Sequence, residues 1–181
     1  MGRPGVGERL EDPVSRSSRD DDRMLLGEWA CLGVLAGGPK HGFAVSQELR
    51  VSGSIGRVWS LTRPLTYRAL DRLVDRGYAE VVGEEPGTAG GNRTIVAITR
   101  AGRAALRAWC RTPVTHLRDL RSELLLKLVV AEVNDIDTST LVSAQRLIVD
   151  DFVAAHRGSR DVVTSWRHEM ALAAKRFLDK L

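Results

Sequence analysis

Apolar residues recur at helical spacing from residue 25 to 36, where Leu25, Leu26, Trp29, Leu32, Val34 and Leu35 predict a first helix. Gly37-Gly38-Pro39 stops it. A short second helix, about residues 42–49, carries Phe43, Val45 and Leu49, and residues 51–60 read as a loop or short extended piece. Thr62 can cap a third helix, with Pro64 in its first turn, where a missing N–H costs nothing. Leu65, Ala69, Leu70 and Leu73 predict the buried face of that helix, and Gly77 ends it in the C′ position.

The period then changes. Residues 78–82 and 94–98 are short runs rich in β-branched and aromatic side chains, flanking the Gly-rich stretch GEEPGTAGGNR. They predict a two-stranded hairpin with a long loop. Thr99 caps a further helix through Trp109 and Cys110, ended by Pro113. Three short helices followed by a hairpin is the order of a winged helix-turn-helix. Beyond it the chain is helical again: residues 117–133 with Leu120, Leu124, Leu125, Leu128 and Val129; residues 139–156 with Leu141, Val142, Leu147, Ile148 and Phe152; and a last helix with Val162, Trp166, Met170, Ala173 and Phe177. These amphipathic helices have little of their own chain to pack against. A symmetric dimer or an intramolecular helical hairpin would bury their stripes. The fold class is thus mainly α with a small β-hairpin: a disordered tail over residues 1–23, a winged helix-turn-helix over 24–112 and C-terminal dimerisation helices over 113–181. Met24, just before the first apolar run, reads as an alternative start.

Composition adds limits. The chain has 181 residues, 43% of them hydrophobic, enough for a core without disulfide or metal staples. No apolar run reaches the ~18–20 residues of a membrane span, and the N-terminus has no apolar signal region, so a cytoplasmic protein is expected. Cys31 and Cys110 lie in apolar stretches and read as buried thiols. Residues 39–103 hold ten Lys/Arg against six Asp/Glu, so the basic charge concentrates on the predicted helix-turn-helix. That favours a polyanionic partner, although 23 of the 27 basic residues are Arg, and so general a bias places many arginines incidentally.

The second helix of a helix-turn-helix enters the major groove with its N-terminal residues nearest the base edges. Thr62 and Arg63 fall at that end, and Tyr67 and Arg68 on the flank opposite Leu65 and Leu73. The alternative for Tyr67 is partial core burial with its hydroxyl at the surface. Arg72 suits either a phosphate or an ion pair with Asp71 or Asp75. Lys40 and His41 open the second helix, where N–H groups and a cation can meet a phosphate; His41 is structural or phosphate-facing rather than a metal ligand. Arg93 stands at the foot of the wing, suited to the minor groove or backbone, while Glu84 and Glu85 argue against a deeply embedded wing tip. No P-loop, nucleophile elbow or metal-ligand spacing occurs, so neither an enzyme, a cofactor nor a metal is expected.

Gly38-Pro39-Lys40-His41-Gly42-Phe43, the run Tyr67-Arg68-Ala69-Leu70 with Leu73 and Gly77, and Thr99-Arg100-Ala101-Gly102-Arg103 appear in that order. So does Arg121-Ser122-Glu123-Leu124-Leu125-Leu126-Lys127-Leu128. Together these resemble the PadR family of bacterial transcriptional regulators, across roughly residues 26–109. Phe43 replaces the family's usual Tyr, and Thr62-Arg63-Pro64-Leu65-Thr66 replaces its Ser-Pro-Gly-Thr-Leu, so the operator does not carry over. The resemblance implies a homodimer on palindromic double-stranded DNA, usually repressing, and a small aromatic effector that releases it. Trp29 and Trp109 are the candidate effector residues, the alternative being plain core packing. A winged-helix scaffold serving as a small-molecule or protein-interaction module without DNA binding is the alternative function.

Overall fold

A computed structural model describes residues 23–86, 91–158 and 161–181. The expected tail lies, apart from Arg23, outside the described residues. The first helix, α1 (Leu26–Ala36), is buried almost all round through Ala30, Cys31, Leu32, Val34 and Leu35. Its N-cap is Leu25, whose side chain can accept nothing. Instead the Leu25 N–H donates to the Glu28 carboxylate at 3.1 Å, satisfying one orphan donor from inside the helix. Burial pushes the Cys31 and Cys110 thiols up to about 12, Glu28 adding to the effect on Cys31. Both are free thiols.

A two-residue strand, β1 (Lys40–His41), leads into α2 (Gly42–Glu48). The turns that follow bury Ile55 and bring Leu61 back onto Leu49 through a backbone hydrogen bond of 3.0 Å. Helix α3 (Arg63–Asp75) begins at Thr62 with Pro64 in its first turn. It ends in a Schellman arrangement: Gly77, at φ +69°, donates to Val74 O, and Tyr78 donates to Leu73 O. The buried face is Thr66, Ala69, Leu70 and Leu73. Leu65, expected inside, is 46% exposed, and Thr66 takes its place. The threonine can do so because its hydroxyl donates to Thr62 O at 3.1 Å, leaving no unpaired polar group in the core.

The hairpin strands β2 (Ala79–Pro86) and β3 (Asn92–Ile98) run further than expected, shortening the connection between them to residues 87–91, and a register irregularity falls between Val81 and Gly83. The sheet has a third member, in the order β1-β3-β2, with Lys40 opposite Val96 and His41 opposite Ile95. Helix α4 (Arg100–Arg111) starts at Thr99, whose hydroxyl accepts the Gly102 N–H at 3.0 Å.

After α4 the chain is held by Gln145, fully buried, whose amide brackets Val114: it accepts from Val114 N–H at 2.9 Å and donates to Val114 O at 3.0 Å. The helix expected over residues 117–133 is not uniform. It opens as a 3₁₀ turn (Leu117–Asp119), widens to a π segment (Leu120–Leu124) and becomes regular in α5 (Leu125–Val133). This segment serves two cores. Leu120 and Leu124 face a small cluster with Val114, Leu141, Val142, Val149 and Leu178, whereas Leu126, Val130 and Ala131 complete the core around α1. Leu125, Leu128 and Val129, expected to be apolar packing positions, are only partly buried.

The last two helices, α6 (Ser139–Ala155) and α7 (Val162–Leu178), pack on each other. Asp150 pairs with Lys175 across them. The Asp161 carboxylate caps α7 by accepting from the Thr164 hydroxyl and N–H, both at 2.7 Å, which holds it below the ordinary range. Their buried positions are Leu141, Val142, Gln145, Val149, Val153, Ala171 and Leu178. Half of the apolar stripe read from the sequence faces outward, with Leu147 70% exposed, Trp166 66% and Val162 80%.

Candidate nucleic-acid interface

Helix α3 is fixed from behind and free in front. Behind, its buried face meets α1, and Arg72 Nη1 lies 3.2 Å from Glu28 Oε1, a carboxylate that is itself 2% exposed. Arg72 therefore pairs with neither Asp71 nor Asp75; its partner is on α1. In front, Thr62, Arg63, Leu65, Tyr67 and Arg68 are all exposed. Thr62 occupies the N-cap position, but its side chain makes no capping hydrogen bond, so the hydroxyl remains available. Arg68 has no hydrogen-bond or ion-pair partner among the described residues.

Arg63 is held. Its Cζ lies 5.3 Å from the centre of the Phe43 ring and 5.6 Å from that of Tyr67. Both distances are within cation–π range. Phe43 comes from the N-terminal turn of α2, and composition gave no reason to single it out beyond its position in the motif.

His41 is a structural residue. Its Nδ1 accepts the Ala44 N–H at 3.0 Å and so caps α2, which puts the ring proton on Nε2, 3.4 Å from the Glu85 carboxylate on the wing. Glu84 accepts from the Asn92 amide at 2.7 Å, and Glu85 stands opposite Arg93 in the strand register. The two wing acids are thus engaged by their neighbours. Lys40 is half-buried on β1.

Trp29 and Trp109 meet face to face, with ring centres 4.8 Å apart and planes 7° from parallel. Trp109 belongs to the core around α1, and both rings also line a cavity of about 800 Å³ between α1, α4 and the segment after it. Lys127, from α5, places its ammonium 5.2 Å from the centre of the Trp109 ring. Among the described residues no group of three or more His, Cys, Asp or Glu could hold a metal ion, and no helix is long and apolar enough to cross a membrane.

The scaffold helix α1, the pair α2–α3 and the three-stranded wing define a winged helix-turn-helix carried on an α-helical extension. Residues 31–108 match the Transcriptional regulator PadR-like family. Residues 31–108 thus form a PadR-like domain, of a family of transcriptional regulators rather than of enzymes. Among solved structures it is similar to Bacillus subtilis PadR in complex with operator DNA, at 18% identity and TM-score 0.48, over 87% of this chain and 98% of that one. It is also similar to smu.1604c from Streptococcus mutans UA159, at 14% identity and TM-score 0.45, over 86% of this chain and 98% of that one. No curated protein matches it.

Proposed function

We propose that this regulator binds double-stranded DNA as a homodimer in the cytoplasm, each protomer setting the N-terminal end of α3 in a major groove of a palindromic operator. The observation that carries this reading is the exposed leading end of α3, with Thr62, Arg63, Tyr67 and Arg68 presented on a helix whose back is locked into the core. Lys40 and Arg93, on the two strands beside it, extend the cationic surface to the flanking backbone, and Arg72 adds charge while holding Glu28. His41 serves by capping α2. Repression by occupying a promoter is the simplest outcome of such binding.

Anisotropy on DNA selected from a random-sequence pool tests the reading. Tight, sequence-selective binding with a steep salt dependence supports it, because phosphate contacts release counterions. Salt-insensitive binding without selectivity leaves the fold serving as an interaction module. Arg68→Ala should weaken binding to all sequences alike and lower the salt slope by about one. Arg63→Ala should instead erode base preference, by roughly 1–3 kcal/mol at one position. Equal losses across all operator variants for both changes would defeat that division of labour.

Residues 113–181 supply dimerisation in this reading. Val162, Val163, Trp166 and Phe177 of α7 and Leu147 of α6 are large apolar side chains exposed in the single chain. Beside Phe177 runs a groove of about 740 Å³, whose lining includes Leu125, Leu128 and Val129. A second copy would cover both. Trp166→Glu should convert the dimer to monomer in sedimentation, since a central aromatic contributes at least ~2 kcal/mol and a buried charge opposes reassociation. Persistence of the dimer would place the interface elsewhere. The cavity beside Trp29 and Trp109 is the proposed site for a small aromatic effector that releases DNA, the ligand stacking on an outer indole face because the inner faces already meet.

A further inference from the structure

We propose that Phe43 and Tyr67 form an aromatic clamp that aims Arg63 at a guanine, making Phe43 a specificity-determining residue that itself reads no base. The inference rests on the DNA-binding reading above and assigns the source of its selectivity.

An arginine at the first position of an exposed helix ordinarily samples many rotamers, and a guanidinium that must be ordered on binding discriminates poorly. Here the two rings lie 5.3 and 5.6 Å from Cζ, within range to draw the cation toward their π faces. A planar fork held in this way can present two parallel donors to the O6 and N7 acceptors that only guanine places side by side in the major groove.

The clamp is built into the fold on both sides. Tyr67 sits in a notch that exists because residue 42 is glycine: a Cβ there would stand 2.8 Å from Cε1 and 3.0 Å from Cζ of the ring. Phe43 follows directly, on the turn that His41 caps through the Ala44 N–H, and the His41 ring lies 6.2 Å from it at 18°. Phe43 is 41% exposed and Tyr67 39%, more than core packing requires, so both rings remain at the surface beside the cation. The sequence Gly42-Phe43 thus sets one jaw and seats the other.

The test uses the full-length protein and the DNA it selects from a random pool, scoring every base at each half-site position for wild type, Phe43→Leu, Phe43→Tyr and Arg63→Ala. Phe43→Leu keeps apolar bulk without a π face. It should lose roughly tenfold in guanine discrimination at a single position, the one Arg63→Ala also relaxes, with the salt slope unchanged. Phe43→Tyr should restore wild-type discrimination. Gly42→Ala, which displaces Tyr67 without touching Arg63, should produce the same single-position loss in a protein whose melting shows it folded. Wild-type discrimination in Phe43→Leu, while Arg63→Ala relaxes one position, overturns the clamp alone. A uniform loss across positions in Phe43→Leu overturns it too. If the wild type selects no sequence at all, the DNA reading falls and the clamp with it.

Discussion

Lys127→Ala should lower the stability of the protein by about 3–5 kcal/mol, the range for removing one member of a buried ion pair. The lysine side chain is 2% exposed, and its ammonium lies 2.9 Å from Glu123 Oε1. It also donates to the Thr112 carbonyl at 2.7 Å, just past the end of α4, and sits against the Trp109 ring. Truncation would leave the Glu123 carboxylate, 16% exposed, with Arg23 at 3.8 Å as its one cationic partner among the described residues, and the Thr112 carbonyl without this donor. It would also open a cavity the length of the lysine stem. Lys127→Met separates these effects, since it keeps the stem and removes only the charge. A double change, Lys127→Met with Glu123→Leu, should recover much of the loss, because apolar replacement of both partners is often neutral. Chemical denaturation of the four proteins measures this. A single Lys127→Ala change costing less than about 1 kcal/mol would mean that the pair is hydrated and contributes as a surface pair does.

Gly102→Ala is expected to cost about 2–3 kcal/mol, against the ~1 kcal/mol gain that helix propensity alone would give. The added Cβ would stand 2.1 Å from the Tyr78 carbonyl oxygen and 2.9 Å from Ile98 Cγ1. The carbonyl cannot retreat easily, because it accepts the Thr99 N–H at 3.0 Å while the Thr99 hydroxyl donates to Gly77 O at 2.8 Å. The first turn of α4 would have to lift off the strand end it is capped against. A denaturation midpoint equal to or above that of the wild type would show that this junction yields.

Much of the architecture was legible because periodicity is a local signal. α1, α3 and α4 follow the spacing of their apolar residues and the cap positions of Thr62 and Thr99. β1 was invisible because two residues have no period, and its pairing partner lies more than fifty positions on. Leu65 and Thr66 exchanged roles because the edge of a helical face cannot be placed to one residue when the flanking polar side chain can satisfy itself within its own helix. Leu147 was taken for packing by spacing alone, whereas α6 turns Gln145 inward to hold Val114. For the proposed interface, Thr62, Arg63, Tyr67 and Arg68 were expected from their place on α3, and the structure leaves all four exposed there. The Glu28 partner of Arg72 and the Phe43 partner of Arg63 could not, since each joins elements distant in the chain.

The first turn of α1 carries two adjacent residues with different addressees. Trp29 faces the cavity, and Glu28 holds both the Leu25 N–H and the Arg72 guanidinium of α3. A molecule that rotated this turn by pressing on the indole would shift the anchor of α3, the helix proposed to enter the groove, in the same motion. Linkage makes such an arrangement run both ways: whatever factor a cavity ligand takes from DNA affinity, DNA takes from the ligand's. The turn would then act as a shared shaft, with the two occupants competing through its angle although they never touch.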